Sequence, residues 1–366
     1  AEATVNSKFT SDDTEIDAIT EAFDLGQYKR NSSLIVHYHN VRFQGLKPDT
    51  LYVYRVGDGS KHWSEWIHFR TAKSSYAPIQ FVYFGDAQND ILDHWSRVIR
   101  MAYQTAPSAS FAIHAGDLVN TAHRDYEWAQ WFKAGGFLHS QWTAIPAVGN
   151  HEFSAVNGGS RRVSIQWRPQ FTLPVEKSLD PELHETVYSV DYQDVRIIVL
   201  NSNEKLEQQT KYLEDQLKNC TAKWKIVTCH HSVFSPARGR DFKFARENWK
   251  PLLDKYNVDL VLNGHDHTYA RGHVPIRSTD DASELGTVYV TSVSGPKQYG
   301  LDRKQILAYK SQGYRSDKTA EQTQFFQVIS IEDNTLSYVA YTVMGDEYDR
   351  ATITKDFATG KKSLRD

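Results

Sequence analysis

Five short stretches of this chain combine residue types that bind metal ions: Gly85-Asp86-Ala87-Gln88, Gly116-Asp117-Leu118-Val119-Asn120, Gly149-Asn150-His151-Glu152, Cys229-His230-His231 and Gly264-His265-Asp266-His267. Each offers N or O donors. A carboxylate has two oxygens and can span two cations, while neutral imidazoles and an amide oxygen fill positions without overloading the site with negative charge. Two cations roughly 3.5 to 4 Å apart can hold a phosphate oxygen on one side and a deprotonated water on the other, which stabilises an in-line displacement without a covalent nucleophile. Ser154, Ser232 and Ser235 are therefore read as structural. With only two cysteines, Cys220 and Cys229, against 15 histidines, a thiolate-built zinc site and a disulfide framework are both excluded.

The elements that must position these motifs are short apolar runs. IQFVYF (79 to 84), SFAIHA (110 to 115), TAIPAV (143 to 148), VRIIVL (195 to 200), WKIVTC (224 to 229) and VDLVLN (258 to 263) read as buried strands, and five of the six end at one of the motifs. In α/β sheets, loops at the carboxyl ends of strands converge on one crevice, so five strand ends can supply one site. The preceding glycines allow sharp turns and close backbone approach. The stretch 204 to 219 places Leu206, Leu213 and Leu217 on one helical face, and 287 to 295 and 325 to 343 return to strand patterning. Before residue 75 the period is two, in SLIVHYHNVRF, LYVYRVGD and SEWIHFRTA, with GLKPDT and GDGS as turns. Forty-two basic against 45 acidic residues, a net charge of −3, argue against nucleic acid as a partner. No run approaches the roughly 18 apolar residues of a membrane span.

Order, sheet position and chemistry together resemble the calcineurin-like metallophosphoesterase superfamily, whose pattern is D-x-H/G, G-D-x-x, G-N-H-[DE], a single His after a strand, and G-H-x-H. Within it, GNHE, GHDHTYAR and a preceding fibronectin type III-like stretch are most similar to the purple acid phosphatase branch. The resemblance implies an α/β fold of αββα type, with two mixed β-sheets flanked by helices, behind a small all-β sandwich. It implies one metal on Asp86, Asp117 and His267 and a second on Asp117, Asn150, His230 and His265, with Asp117 bridging. It places His151 in the cleft, where it protonates the leaving alkoxide or stabilises the phosphoryl oxygens. Glu152 and Asp266 read as carboxylates behind the ligands, and His114 as a core histidine. Arg240 stands where the family carries substrate-facing residues, with Arg238 and His231 competing for that role. Asn120 replaces the tyrosine whose phenolate binds ferric iron and gives the branch its colour. This chain is therefore expected to be colourless, with Mn, Fe or Zn as its two ions, and Asn120 is left as a substrate contact. Gln88 stands where the superfamily often has His and the purple branch Gly, and is expected to bind the first metal through its amide oxygen, with a hydrogen bond to Asp86 from behind the ligands as the alternative.

The resulting expectation is a phosphomonoesterase acting on a phosphorylated small molecule, in two domains at 1–75 and 76–366, secreted or periplasmic. The alternatives are a phosphodiesterase or nucleotidase using the same site, with a rim between Asn157 and Arg168, and a non-catalytic adhesion module displaying Tyr54, Trp63 and Trp66. Those aromatics would otherwise pack a domain interface. Residues 1 to 33 look too polar to complete a seven-stranded sandwich, so the sandwich is read as truncated or reduced.

Overall fold

The computed structural model describes residues 14–26, 34–155, 159–276 and 284–366. Two seven-stranded mixed sheets face each other. In the first, the strands Ile79–Phe84, Phe111–His114 and Thr143–Pro146 run parallel. Phe325–Glu332 pairs antiparallel with Ile79–Phe84 and is followed outward by Thr335–Thr342, Glu347–Lys355 and Lys362–Arg365. The second sheet has a parallel centre of Val195–Leu200, Trp224–Cys229, Leu260–Asn263 and Leu285–Thr291. Antiparallel Tyr188–Tyr192 closes one side, and Tyr269–Pro275 and Arg315–Ala320 the other.

All six apolar runs are strands, and their burial on both faces explains their continuous hydrophobicity. Side chains from both sheets, among them Phe81, Ile329, Val199 and Leu262, share one core. The outer face of the second sheet packs on helix Leu206–Lys218 through Leu213 and Leu217, with Leu206 half-buried at the helix start. The expected strand at 287 to 295 ends at Thr291. Beyond it the chain crosses to the first sheet: Val293 bridges Asp86, and the Ser294 and Gly295 amides donate to the Asp86 carbonyl. The Tyr83 hydroxyl donates in the opposite sense to the Asn263 carbonyl.

Helices Trp95–Thr105 and Asp125–Gly135 cover the first sheet through an aromatic cluster. Trp95 and Trp131 stack at 5.6 Å, His139 lies 4.0 Å from Trp131, and His114 stacks on Phe84 at 5.3 Å. His114 is a core histidine, and burial pushes its imidazole down to about 3 and that of His139 to about 4. An unfolded histidine titrates near 6.5, so between pH 6.5 and 4 the unfolded chain binds protons that the folded one does not. Their contribution to stability is present above pH 6.5 and is lost as pH falls towards 4. Thermal midpoints at pH 7, 5.5 and 4 should fall progressively, and less steeply for His139→Phe; the same slope in that variant would remove His139 from the account.

The amino-terminal strands form two ribbons, Ile19–Asp24 with Ile35–Asn40 and Leu51–Tyr54 with Ile67–Arg70. Within the first 33 residues, read as too polar to complete a sandwich, Ile19–Asp24 forms a strand, while 1–13 and 27–33 lie outside the described residues. Five of its six residues are exposed, so the strand pairs without a buried face. The ribbons rest on the larger region through Tyr54 Oη to the Ser140 carbonyl, Asn40 Nδ2 to the Pro169 carbonyl and Gln166 Nε2 to Tyr38 Oη, each 3.0 Å. Tyr54 is thus an interface residue. Trp63 and Trp66 instead flank the Arg55 guanidinium at 4.4 and 4.6 Å, with Trp63 exposed.

Candidate functional site

The five motifs meet where the carboxyl ends of both parallel strand sets converge. The loops after Phe84, His114 and Pro146 bring Asp86, Gln88, Asp117, Asn150 and His151 from the first sheet. Those after Cys229 and Asn263 bring His230, His231, His265 and His267 from the second. Packing is so close that a Cβ on Gly149 would lie 2.1 Å from Asp117 Oδ1, and one on Gly264 would lie 2.3 Å from Asp86 Oδ1. Asp117, His265 and His267 all adopt left-handed backbone, with φ of 52°, 70° and 49°. Non-glycine residues hold that conformation only where the surrounding structure over-determines it, which is common at functional sites.

Two groups of donors result, Asp86 with Asp117 and His267, and Asp117 with His230 and His265. In each group the donor atoms lie within 4.8 Å of one another. His267 Nε2 stands 3.2 Å from Asp86 Oδ2, and His230 Nε2 is 3.1 Å from Asp117 Oδ2. Asn150 Oδ1 is 3.2 Å from His230 Nε2, and His265 Nδ1 approaches the same nitrogen at 3.2 Å. The far nitrogens are fixed by carbonyls: His230 Nδ1 donates to Ala115 at 2.8 Å and His267 Nδ1 to Lys297 at 2.9 Å. A carbonyl only accepts, so both rings carry a proton on Nδ1 and turn Nε2 inward, the nitrogen that would bind an ion.

The Gln88 amide also reaches this space, with one terminal atom 3.0 Å from both Asp117 Oδ2 and His267 Nε2, and Oε1 on its outer side without a partner. Rotating the amide by half a turn, an exchange of O and N that X-ray density at ordinary resolution does not distinguish, would bring Oε1 to the inner position.

The electrostatics show what the donors lack. Burial raises the Asp86 carboxyl to about 7, with His230 pulling it down and Asp117 pushing it up by smaller amounts. Burial also acts to raise Asp117, but the charge and hydrogen bond of His230 outweigh it and hold Asp117 far below the usual carboxylate range. His230 answers in kind: burial lowers it, and Asp117 and Asp86 carry it up to about 9. Burial pushes His265 and His267 down, the latter to about 3. Asp86 Oδ2 is buried without a hydrogen-bond partner among the described residues. Buried carboxylates with only the His230 charge between them, facing imidazole nitrogens turned inward, form a set that cations complete.

Glu152 sits behind the ligands as expected, and its role is specific. Its Oε2 accepts the amides of Gly149 (2.7 Å) and Asp117 (2.9 Å), and Oε1 that of Leu118 (2.9 Å), which ties two strand ends together. Asp266 is fully buried, and burial raises it to about 6 against the pull of the Ser235 and Ser232 hydroxyls. His151 Nδ1 donates to the Asn120 carbonyl at 2.6 Å, leaving Nε2 4.0 Å from Asp117 Oδ2. Asn120 thus serves through its carbonyl, while its amide contacts Thr121.

A cavity of about 600 Å³ opens beside His265, lined by His231, Arg238, Arg240 and Tyr299 among others. Arg240 hydrogen-bonds His265 Nε2, and His231 is held by Ser202 Oγ at 2.7 Å. Ser202, Lys297 and Tyr299 were not read from the sequence. Ser202 does follow VRIIVL (195 to 200), the one apolar run that ends at none of the motifs, which is the signal that would have found it, whereas Lys297 and Tyr299 lie in a loop without a motif. Of the expected rim, Asn157 and Gly158 lie outside the described residues. Arg161 within it donates to the Asn150 and Phe153 carbonyls.

Two facing mixed sheets with these donors at their strand ends are the α/β architecture of metallophosphoesterases, and the comparisons agree. The calcineurin-like phosphoesterase model matches residues 79–269, just over half of the chain, and the model of the purple acid phosphatase N-terminal domain matches 3–71. The chain belongs to the calcineurin-like phosphoesterase family. It is 30% identical over 287 residues to an uncharacterized protein of Mycobacterium tuberculosis, covering 67% of this chain and 52% of that protein. It is 25% identical over 282 residues to purple acid phosphatase 15 of Arabidopsis thaliana, covering 64% and 49%. The chain thus spans about half the length of these relatives. The purple acid phosphatase from yellow lupin seeds shares the fold with a TM-score of 0.72 at 20% identity, covering 93% of this chain and 67% of that one. Among the described residues no helix is long and apolar enough to cross a membrane.

Proposed function

We propose that this chain is a two-metal phosphomonoesterase. The observation that carries the reading is that Asp117 belongs to both donor groups, so one carboxylate is placed to join two ions. Asp86, Asp117, His267 and Gln88 would hold the first, and Asp117, Asn150, His230 and His265 the second. When bound, the cations supply positive charge to the phosphoryl group and acidify water. His151, its ring oriented by the Asn120 carbonyl, delivers a proton from Nε2 to the departing alkoxide. Arg240 offers its forked donors to the phosphoryl oxygens. With Asn at 120 there is no phenolate ligand, and Mn, Fe(II) and Zn are the candidate ions. Residues 1–75 are read as a reduced fibronectin type III-like domain and 76–366 as the catalytic domain, a division supported by the ribbons and the polar stretch Lys73–Pro78.

The test is metal analysis of the purified protein followed by hydrolysis of matched chromogenic mono- and diesters. About two ions per chain, no visible charge-transfer band and preferential monoester turnover are expected. A preference for the diester would reassign the chain as a phosphodiesterase. Absence of both metal and turnover after supplementation with Mn, Fe and Zn would leave only a binding role.

A further inference from the structure

We infer that the cavity beside His265 binds a second phosphoryl group, so that the preferred substrates are bisphosphates rather than simple phosphomonoesters. This rests on the phosphomonoesterase reading above. The phosphoryl group being cleaved would be met by the ions and Arg240, which leaves Arg238 in the lining and Lys297 behind Tyr299 as further cations. Arg238 lines the cavity, and Lys297 lies with its ammonium 5.6 Å from the ring centroid of Tyr299, whose other neighbour is the Arg240 guanidinium at 4.8 Å. Neither Arg238, Arg240 nor Lys297 has an ion-pair partner among the described residues. The one carboxylate in the lining, Asp241, is already bound to Arg246 at 2.5 Å.

The backbone that carries the two arginines is also tied down at several points. The Arg238 amide donates to the Gly300 carbonyl at 3.1 Å, Ala237 bridges Leu301, and Gln305 Nε2 ties down the Arg240 and Ser235 carbonyls at 2.7 and 2.9 Å. Gly239, at φ 72°, turns the chain between two arginines that line the same cavity. His265 belongs to both the cavity and the second donor group, so the two anion positions adjoin. Arg240 and Lys297 approach the ring of Tyr299 and Arg238 lines the same cavity, so an anion entering it meets several positive charges, and forked guanidinium donors fit phosphate.

The experiment compares propane-1,3-diyl bisphosphate with propyl phosphate on the metal-loaded enzyme, and binding of their inert phosphonate counterparts by calorimetry. We expect kcat/KM and affinity to favour the doubly charged compound by about tenfold or more at low salt, a preference that shrinks as salt is raised. In the double variant Arg238→Ala, Lys297→Ala the preference should collapse to within about threefold. Both side chains reach solvent, so the variant is expected to fold, which circular dichroism checks. Equal handling of the two compounds by the wild type, or a preference that survives in the double variant, overturns the inference. Failure to hydrolyse either compound would instead refute the phosphomonoesterase reading, with calorimetry still deciding the cavity.

Discussion

Asp117→Asn should reduce bound metal from about two ions per chain to one or none, and lower kcat/KM on a phosphomonoester by on the order of 10³-fold. The amide keeps the volume and one acceptor, so the hydrogen bond from the His151 amide to Oδ1, 2.8 Å in the wild type, can persist. The second oxygen is lost, and with it the charge that faces His230 at 3.1 Å and joins the two donor groups. Removing one partner of a fully buried charge pair typically costs about 3–5 kcal/mol, and each ~1.4 kcal/mol is tenfold in rate. Metal content near two with turnover within tenfold of wild type would show that Asp117 does not bridge.

His151→Ala should leave both ions in place and lower kcat by roughly 10²- to 10⁴-fold on an alkyl phosphate, the usual range for removing a positioned proton donor. Its side chain is in neither donor group, and its backbone contact with Asp117 survives truncation. The discriminating comparison uses a nitrophenyl ester, whose leaving group departs without a proton. There the loss should be far smaller. Equal losses on both esters would assign His151 to the phosphoryl oxygens instead, and loss of metal would make it a positioning residue.

The metal-binding motifs were legible because their chemistry is concentrated at strand ends, and the glycines before them are demanded by contacts such as that of Gly149 with Asp117. The core role of His114 was legible from the apolar run around it. The pairing of Phe325–Glu332 with Ile79–Phe84 was not, because partner choice across so long a separation depends on packing that no local pattern records. Glu152 could be read as a supporting carboxylate, but its grip on three amides depends on how two loops meet. Lys297 and Tyr299 enter the site through a loop whose course is fixed by a bridge to Asp86 and by Glu321 Oε2, which accepts the Leu301 amide at 2.8 Å. Strand Ile19–Asp24 escaped because alternation is visible only where one face is buried.

Each donor group draws on both sheets: Asp86 and Asp117 belong to one, and His230, His265 and His267 to the other. Bound ions would therefore act as rivets through a clamshell, adding coordinate bonds to a seam that already holds the Val293 bridge and the Tyr83 contact with Asn263. Separating the halves would require ejecting the ions, so the candidate metal site and the seam of the sandwich are the same place. Chelation is then expected to lower the stability of the sandwich as well as empty the site.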